Sequence, residues 1–124
     1  GERPLVVFFE QGDCHACDIL HTGPLQQVDI RRRLNELDAT QLDMWSDTLV
    51  QTPDGKRTTA KKWADKLGLF YTPTLIFFDD DGDEILRVDS VVQFYRLRNV
   101  LDYVITGAYL EYPTFQQWRS AAKR

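Results

Sequence analysis

The sequence has few cysteines, no excess of positive charge and no long apolar run. Its 124 residues include two cysteines, which are too few for a disulfide scaffold. The formal net charge of −4 provides no broad basic face for nucleic acid. No stretch approaches the ~20 apolar residues of a transmembrane helix, so we expect no membrane insertion. A chain of this length with 43% hydrophobic residues can bury one hydrophobic core, so we predict a single domain over residues 1–124.

The two cysteines stand together in Cys14-His15-Ala16-Cys17, between an apolar run and a predicted helix. The run Leu5–Phe9 predicts a short buried strand, and the polar residues after it end that strand. Two thiols at the start of a helix suit dithiol–disulfide chemistry, because unpaired backbone N–H groups and the helix dipole favour a thiolate. Cys17, one turn later, can resolve a mixed disulfide formed by Cys14. We therefore predict a reactive pair.

Hydrophobic periodicity over the rest of the chain predicts the order β-α-β-α-β-β-α followed by a C-terminal helix. The strands are predicted at 5–9, 39–45, 74–78 and 84–88, and the helices at 16–21, 25–37, from Thr58 or Thr59 to Gly68, 94–105, and from Pro113 onward. Gly23-Pro24 breaks the first helical region, and turns are predicted at 52–56 and 79–83. The acidic 79–83 segment lacks EF-hand spacing, which favours a hairpin turn over a calcium site.

Several side chains receive structural interpretations from this pattern. The triplet Arg31-Arg32-Arg33 is predicted to lie on a solvated helix face rather than to bind phosphate. Most large aromatic residues are predicted to occupy core and helix-packing positions, namely Trp63, Phe77, Phe78, Phe94 and Trp118. Tyr71 either lines a groove beside the cysteines or packs against the 25–37 helix.

This element order, with Cys-x-x-Cys after the first strand and Thr72-Pro73-Thr74 opening the third, resembles the thioredoxin superfamily. The resemblance implies an α/β thioredoxin fold, a central mixed sheet flanked by helices, here with an extra C-terminal helix. It also implies that Pro73 corresponds to the family's cis-proline beside the cysteines. The Thr72 backbone would then pair with an extended substrate strand.

A narrower resemblance is to bacterial periplasmic thioredoxin-related proteins of the SoxW-like group. It rests on Phe9-Glu10-Gln11-x-x-Cys14-x-x-Cys17, the insertion around Asp54-Gly55, Tyr71-Thr72-Pro73-Thr74, Asp81-Gly82, and Tyr109-Leu110-x-x-Pro113-x-Phe115-x-x-Trp118. The group implies a periplasmic location with the signal peptide already removed, and the cytoplasm is the alternative.

The sequence also departs from the usual thioredoxin pattern. Phe8 occupies the position of the buried acid that assists proton transfer in thioredoxin, so Glu10 is the candidate replacement. The alternative for Glu10 is a solvated carboxylate at the strand end. His15 either tunes the Cys14 sulfur electrostatically or faces solvent, and Asp13 would oppose such tuning by like-charge repulsion.

The sequence therefore predicts a monomeric thiol–disulfide oxidoreductase. We expect it to reduce protein disulfides rather than to form them. We expect no metal and no organic cofactor, protein disulfides or dithiols as substrates, and an unidentified electron-donor protein as partner. One alternative is a redox-inert thioredoxin-like module that binds peptides and keeps the pair as a structural disulfide. Zinc bound by Cys14, Cys17, His21 and Asp18 is disfavoured, because one helix turn gives poor tetrahedral geometry. Haem attachment requires His after Cys17, where Asp18 stands.

Overall fold

The computed structural model of the chain describes residues 3–89 and 96–122. The strands are β1 (Leu5–Glu10), β2 (Asp38–Asp43), β3 (Leu49–Gln51), β4 (Arg57–Thr59), β5 (Thr74–Phe78) and β6 (Glu84–Val88). The helices are α1 (His15–Thr22), α2 (Val28–Leu34), α3 (Ala60–Lys66), α4 (Leu97–Ile105) and α5 (Phe115–Ala122), with 3₁₀ turns at Pro24–Gln26 and Ala108–Leu110.

The main sheet is mixed and has the strand order β2-β1-β5-β6. Strands β1 and β2 are parallel, whereas β5 is antiparallel to both of its neighbours, β1 and β6. Strands β3 and β4 form a separate antiparallel hairpin. The predicted thioredoxin fold, with its mixed sheet, flanking helices and extra C-terminal helix, is confirmed.

Alternate residues of β1 supply two cores, one on each face of the sheet. Val6 and Phe8 pack with side chains from α1, α2, α4 and β5, namely Leu20, Ile30, Leu97, Leu101, Tyr103, Val104, Leu75 and Phe77. Val7 and Phe9 pack on the opposite face with Leu42, Met44, Ala60, Trp63, Ala64, Leu69, Ile76 and Phe78. Because β1 is buried on both faces, its sequence is a continuous apolar run. Because β1 lies between β2 and β5, the cysteines that follow it lie at the end of a central strand.

The structure changes several local predictions. The predicted 25–37 helix is shorter, since a 3₁₀ turn precedes α2, and Val28 is exposed. The second strand ends at Asp43. The 52–56 turn is the tip of the β3–β4 hairpin, whose strands are too short to show a period in the sequence.

The core and helix-packing positions predicted for the large aromatic residues are confirmed where the structure describes them. Trp63, Phe77 and Phe78 are buried, and the half-buried Trp118 packs α5 against Tyr103 of α4. The predicted position of Phe94 lies outside the described residues.

The arginine triplet is solvated at two of its three positions. Arg31 and Arg32 are exposed, but Arg33 donates to Asp102 of α4 with an Nε–Oδ1 distance of 2.7 Å. This hydrogen bond raises the pKa of Arg33 above its ordinary value. Arg33 therefore joins α2 to α4, a long-range contact that the sequence does not reveal.

The acidic segment after β5 is a hairpin turn, as expected. The Asp79 amide donates to the Asp83 carbonyl at 2.8 Å, and the Asp79 carboxylate accepts from the amides of Asp81 and Asp83. Since β5 runs antiparallel to β1, this turn lies at the sheet end where β1 begins. Among helices of the described segments, none combines the length and apolar character needed to cross a membrane.

Gly82 in this turn supports a stability prediction. Its φ is +89°, and a Cβ at this position would lie 2.8 Å from the Pro53 carbonyl oxygen at the tip of the β3–β4 hairpin. Gly55 has the same left-handed conformation, with φ +88°, but a Cβ added there would have no atom within 4 Å. We expect Gly82→Ala to lower the free energy of unfolding by ~1–3 kcal/mol more than Gly55→Ala, because a backbone clash adds to the conformational cost. Urea denaturation of both variants measures the difference, and equal losses would contradict the contact.

Candidate active site

Cys14 and Cys17 form a disulfide at the start of α1, with an S–S distance of 2.10 Å. Cys14 is the N-cap residue of α1, and its Sγ accepts a hydrogen bond from the Cys17 amide at 3.1 Å. Both residues are buried, with exposed fractions of 8% for Cys14 and 4% for Cys17. An N-terminal amide directed at Cys14 Sγ would also stabilise a thiolate on that atom. The geometry thus suits reversible cleavage of the pair.

The loop before β5 brings Thr72 against the same sulfur. The Thr72 Oγ1 lies 3.4 Å from Cys14 Sγ, and the hydroxyl is the donor because a disulfide sulfur carries no proton. The Thr72–Pro73 peptide bond is cis, and Pro73 is buried. Residues 58 positions apart in the sequence therefore meet at Cys14.

Glu10 is buried at the end of β1, where its carboxylate contacts His21 of α1. Both oxygens lie within hydrogen-bond distance of His21 Nε2, at 2.7 and 2.8 Å. Only 8% of the Glu10 side chain is exposed, against 41% for His21. The carboxylate is thus held by a histidine rather than by solvent. His21 follows Cys17 by four residues, so the helix places the two side chains on neighbouring parts of one face.

The sequence identifies His21 as a candidate site residue, but it does not identify Glu10 as the partner of His21. The spacing of His21 from Cys17 is visible and suggested a zinc ligand. In the structure, the two cysteine sulfurs are bonded to each other, and His21 Nε2 lies within hydrogen-bond distance of the Glu10 carboxylate.

The remaining candidate residues lie at the surface around the pair. His15 is the first residue of α1 and is exposed. Asp13, directly before Cys14, is exposed and has a left-handed backbone with φ 51°, which aspartate tolerates better than most residues. Tyr71 is also exposed, with 67% of its surface accessible, and so does not pack against α2.

Trp45 is a residue near the site that the sequence pattern assigned only to a strand. It lies in the turn after β2, is exposed, and its indole Nε1 donates to Gln11 Oε1 at 2.6 Å. Gln11 follows β1 and precedes Cys14 by three residues. The exposed Trp45 side chain, hydrogen-bonded to the loop that precedes Cys14, gives this surface a large apolar contact area.

A family comparison matches residues 1–105 to the Thioredoxin-like domain. Comparison with curated protein sequences gave no significant match. Among solved structures, a thioredoxin-fold protein from Helicobacter pylori has a TM-score of 0.76 at 16% identity, covering 98% of this chain and 81% of its own. Oxidised thioredoxin O2 from Arabidopsis thaliana has a TM-score of 0.60 at 20% identity, covering 85% of this chain and 77% of its own. The thioredoxin of Fasciola hepatica has a TM-score of 0.58 at 19% identity, covering 83% of this chain and 82% of its own.

Proposed function

Because this chain belongs to the Thioredoxin-like domain family, we propose that it is a thiol–disulfide oxidoreductase whose redox pair is Cys14 and Cys17. One observation carries the proposal: the two sulfurs are bonded to each other at a helix N-terminus, with a backbone amide directed at Cys14 Sγ. A purely structural crosslink between residues three apart would close a very short loop and would remove little entropy from the unfolded chain.

The proposed reaction exchanges one disulfide for another. In the reduced protein, the Cys14 thiolate attacks a substrate disulfide, the substrate S–S bond breaks, and a mixed disulfide forms. The Cys17 thiolate then attacks Cys14 Sγ, which restores the Cys14–Cys17 disulfide and releases the substrate dithiol. Two electrons and two protons pass from the protein to the substrate. The reverse sequence would oxidise a substrate dithiol.

We propose that reduction of protein disulfides is the direction used in the cell, with electrons supplied by a donor protein. The test is the reduction potential of the pair, measured by equilibration with dithiothreitol and glutathione buffers. A value near about −270 mV would support a reductase, and one near about −120 mV would support an oxidase.

The competing candidate is a redox-inert module that holds peptides near Thr72 and Pro73. The burial of both sulfurs favours it, because a buried disulfide is less accessible to attack. Titration of free thiols before and after mild reductant separates the two functions. If no thiols appear while the fold persists, the oxidoreductase proposal fails and the binding module replaces it.

Thr72 and Tyr71 are proposed to line the substrate groove, together with Pro73. The Thr72 hydroxyl contacts Cys14 Sγ, and the exposed Tyr71 ring immediately precedes it. An extended substrate segment could pair with the Thr72 backbone and place its sulfur at Cys14. His15, exposed beside Cys14, would act there only as an electrostatic tuner.

Glu10 is proposed to accept the Cys17 proton during resolution, with His21 holding its carboxylate. Replacing Glu10 by Gln should slow the resolving step by up to ~10²-fold, because a buried thiol must lose its proton to a nearby base. Rapid acid quenching and mass spectrometry measure this step as the lifetime of the mixed disulfide. Asp80→Asn, the same carboxylate-to-amide change at the opposite sheet end, should leave the lifetime unchanged. If Glu10→Gln left the lifetime unchanged, Glu10 would not accept the Cys17 proton, and its role would be limited to the structural contact with His21.

Membership of the periplasmic SoxW-like group is a finer proposal, supported by the sequence motifs named above. Fractionation of the source cells, followed by detection of the native protein, tests the compartment. Recovery with cytoplasmic markers would overturn the periplasmic assignment.

A further inference from the structure

Lysine and arginine are absent from the parts of the sequence that build the site. All 15 lysine and arginine residues lie outside three segments, 4–30, 34–55 and 67–86. The first segment contains β1 and α1 with both cysteines, the second contains β2 and Trp45, and the third contains the loop that brings Thr72 to Cys14. The segments that meet at the redox pair therefore contain no lysine or arginine, and their two histidines are His15, exposed beside Cys14, and His21, paired with Glu10.

Acidic side chains are present on the same segments. Asp13 directly precedes Cys14, and the Asp18 amide donates to the Cys14 carbonyl at 3.1 Å in the first turn of α1. Asp43 lies beside Glu10 in the β1–β2 register. Asp13, Asp18 and Asp43 are all exposed, so their charges act on whatever approaches this surface.

Other charged groups near this surface do not reverse its sign. Glu10 is paired with His21. Lys61 is the cation joined to this region by a backbone contact, since its amide donates to the Ser46 carbonyl at 3.0 Å. Even with a positive charge counted on His15 beside Cys14, these two cations stand against three exposed aspartates, so the named side chains remain net negative.

Large, exposed aromatic side chains lie on the same segments that build the site. Trp45 is tied to the Cys14 loop through Gln11, and Phe70 and Tyr71 directly precede Thr72. Their exposed fractions are 58% for Trp45, 84% for Phe70 and 67% for Tyr71. Exposed aromatic groups around a reactive centre provide contact area for an apolar side chain of a partner.

We propose that the preferred substrates are disulfides in positively charged, extended polypeptide segments that carry an apolar residue beside one half-cystine. This inference rests on the proposed oxidoreductase function and adds the class of substrate. Charge complementarity selects the cationic partner, because an acidic surface concentrates cations and repels anions near the reacting sulfur. The aromatic residues contact the apolar side chain while the half-cystine sits at Cys14. In the reaction, the substrate S–S bond is reduced to two thiols as the Cys14–Cys17 disulfide forms.

Two matched peptides test the proposal. Each contains one intramolecular disulfide with phenylalanine beside a half-cystine, flanked by lysines in one peptide and by glutamates in the other. The reduced full chain reacts with each peptide, and with uncharged bis(2-hydroxyethyl) disulfide as reference, under acid quenching. We expect the lysine peptide to react ~10-fold faster or more at low ionic strength. This preference should shrink as salt shortens the Debye length toward ~3 Å at 1 M.

A pair of double variants locates the effect on the surface. Asp13→Asn with Asp18→Asn should lower the lysine-to-glutamate rate ratio by about threefold or more, because two nearby negative charges are removed. Asp80→Asn with Asp81→Asn removes the same net charge at the opposite end of the sheet and should leave the ratio unchanged. Using the ratio cancels any change in the intrinsic reactivity of Cys14.

The outcomes distinguish this inference from the function on which it rests. Equal rates for the two peptides, with a normal reaction of the uncharged reference, would overturn the substrate class alone. Equal effects of the two double variants would also overturn it, because net charge rather than the surface around Cys14 would then explain the preference. Failure to react with any of the three disulfides would overturn the oxidoreductase function itself.

Discussion

Replacing Cys14 by serine should reduce disulfide exchange to the uncatalysed rate, whereas Cys17→Ser should leave a protein that captures substrates and cannot release them. The difference follows from geometry, because Cys14 Sγ receives the Cys17 amide and the Thr72 hydroxyl, and both contacts stabilise a thiolate on that sulfur. Cys17 is the less exposed of the two residues, and its sulfur is positioned to attack Cys14.

Mass spectrometry under non-reducing conditions measures the trapped species. The purified Cys17→Ser protein is mixed with a peptide disulfide, and the mass should rise by that of the peptide joined through Cys14. The double variant Cys14→Ser with Cys17→Ser is the control and should gain no mass. A mixed disulfide formed in Cys14→Ser, with none in Cys17→Ser, would exchange the roles assigned to the two cysteines.

Tyr103→Ala should cause a larger loss of stability than either glycine substitution. Tyr103 is buried on α4 and its ring contacts three aromatic rings of the C-terminal segment, those of Tyr109, Phe115 and Trp118, at centroid distances of 5.5–6.4 Å. Removing this side chain should lower the free energy of unfolding by ~3–5 kcal/mol, because both the apolar burial and the contacts with the added segment are lost.

The hydroxyl of Tyr103 provides the matched control. It donates to the Tyr112 carbonyl at 2.5 Å, and burial raises the pKa of Tyr103, so the proton needed for this bond is retained. Tyr103→Phe keeps the ring and removes the bond, and should lower the free energy of unfolding by ~1 kcal/mol. Urea denaturation of both variants gives the two losses. If they were equal, the hydrogen bond rather than ring packing would hold the C-terminal segment.

This segment lies beyond the region that the family comparison matches. The match ends at residue 105, whereas α5 begins at Phe115. Phe115 and Trp118 of α5 pack against the core cluster that contains Tyr103, so the two Tyr103 variants probe how this added segment is attached to the core.

Local features of the sequence predict the strands of the main sheet and the position of the cysteine pair, and the motifs that resemble thioredoxins add the fold class. Continuous apolar runs at β1 and β5 favour strands buried on both faces, and the Cys-x-x-Cys pattern directly after β1 favours a position at a helix start. These are local features, in which the period and the spacing of residues contain the necessary information. The β3–β4 hairpin was missed, because three-residue strands carry no measurable period.

The residues that meet Cys14 from distant parts of the sequence could be identified only from the folded structure. It placed Thr72 on Cys14, joined Glu10 to His21, and brought Trp45 to the Cys14 loop through Gln11. It also brought together, beside Cys14, three separate segments that lack lysine and arginine. The physical reason is that these contacts depend on strand order and on the positions at which chain segments cross, and no local preference of the sequence encodes either.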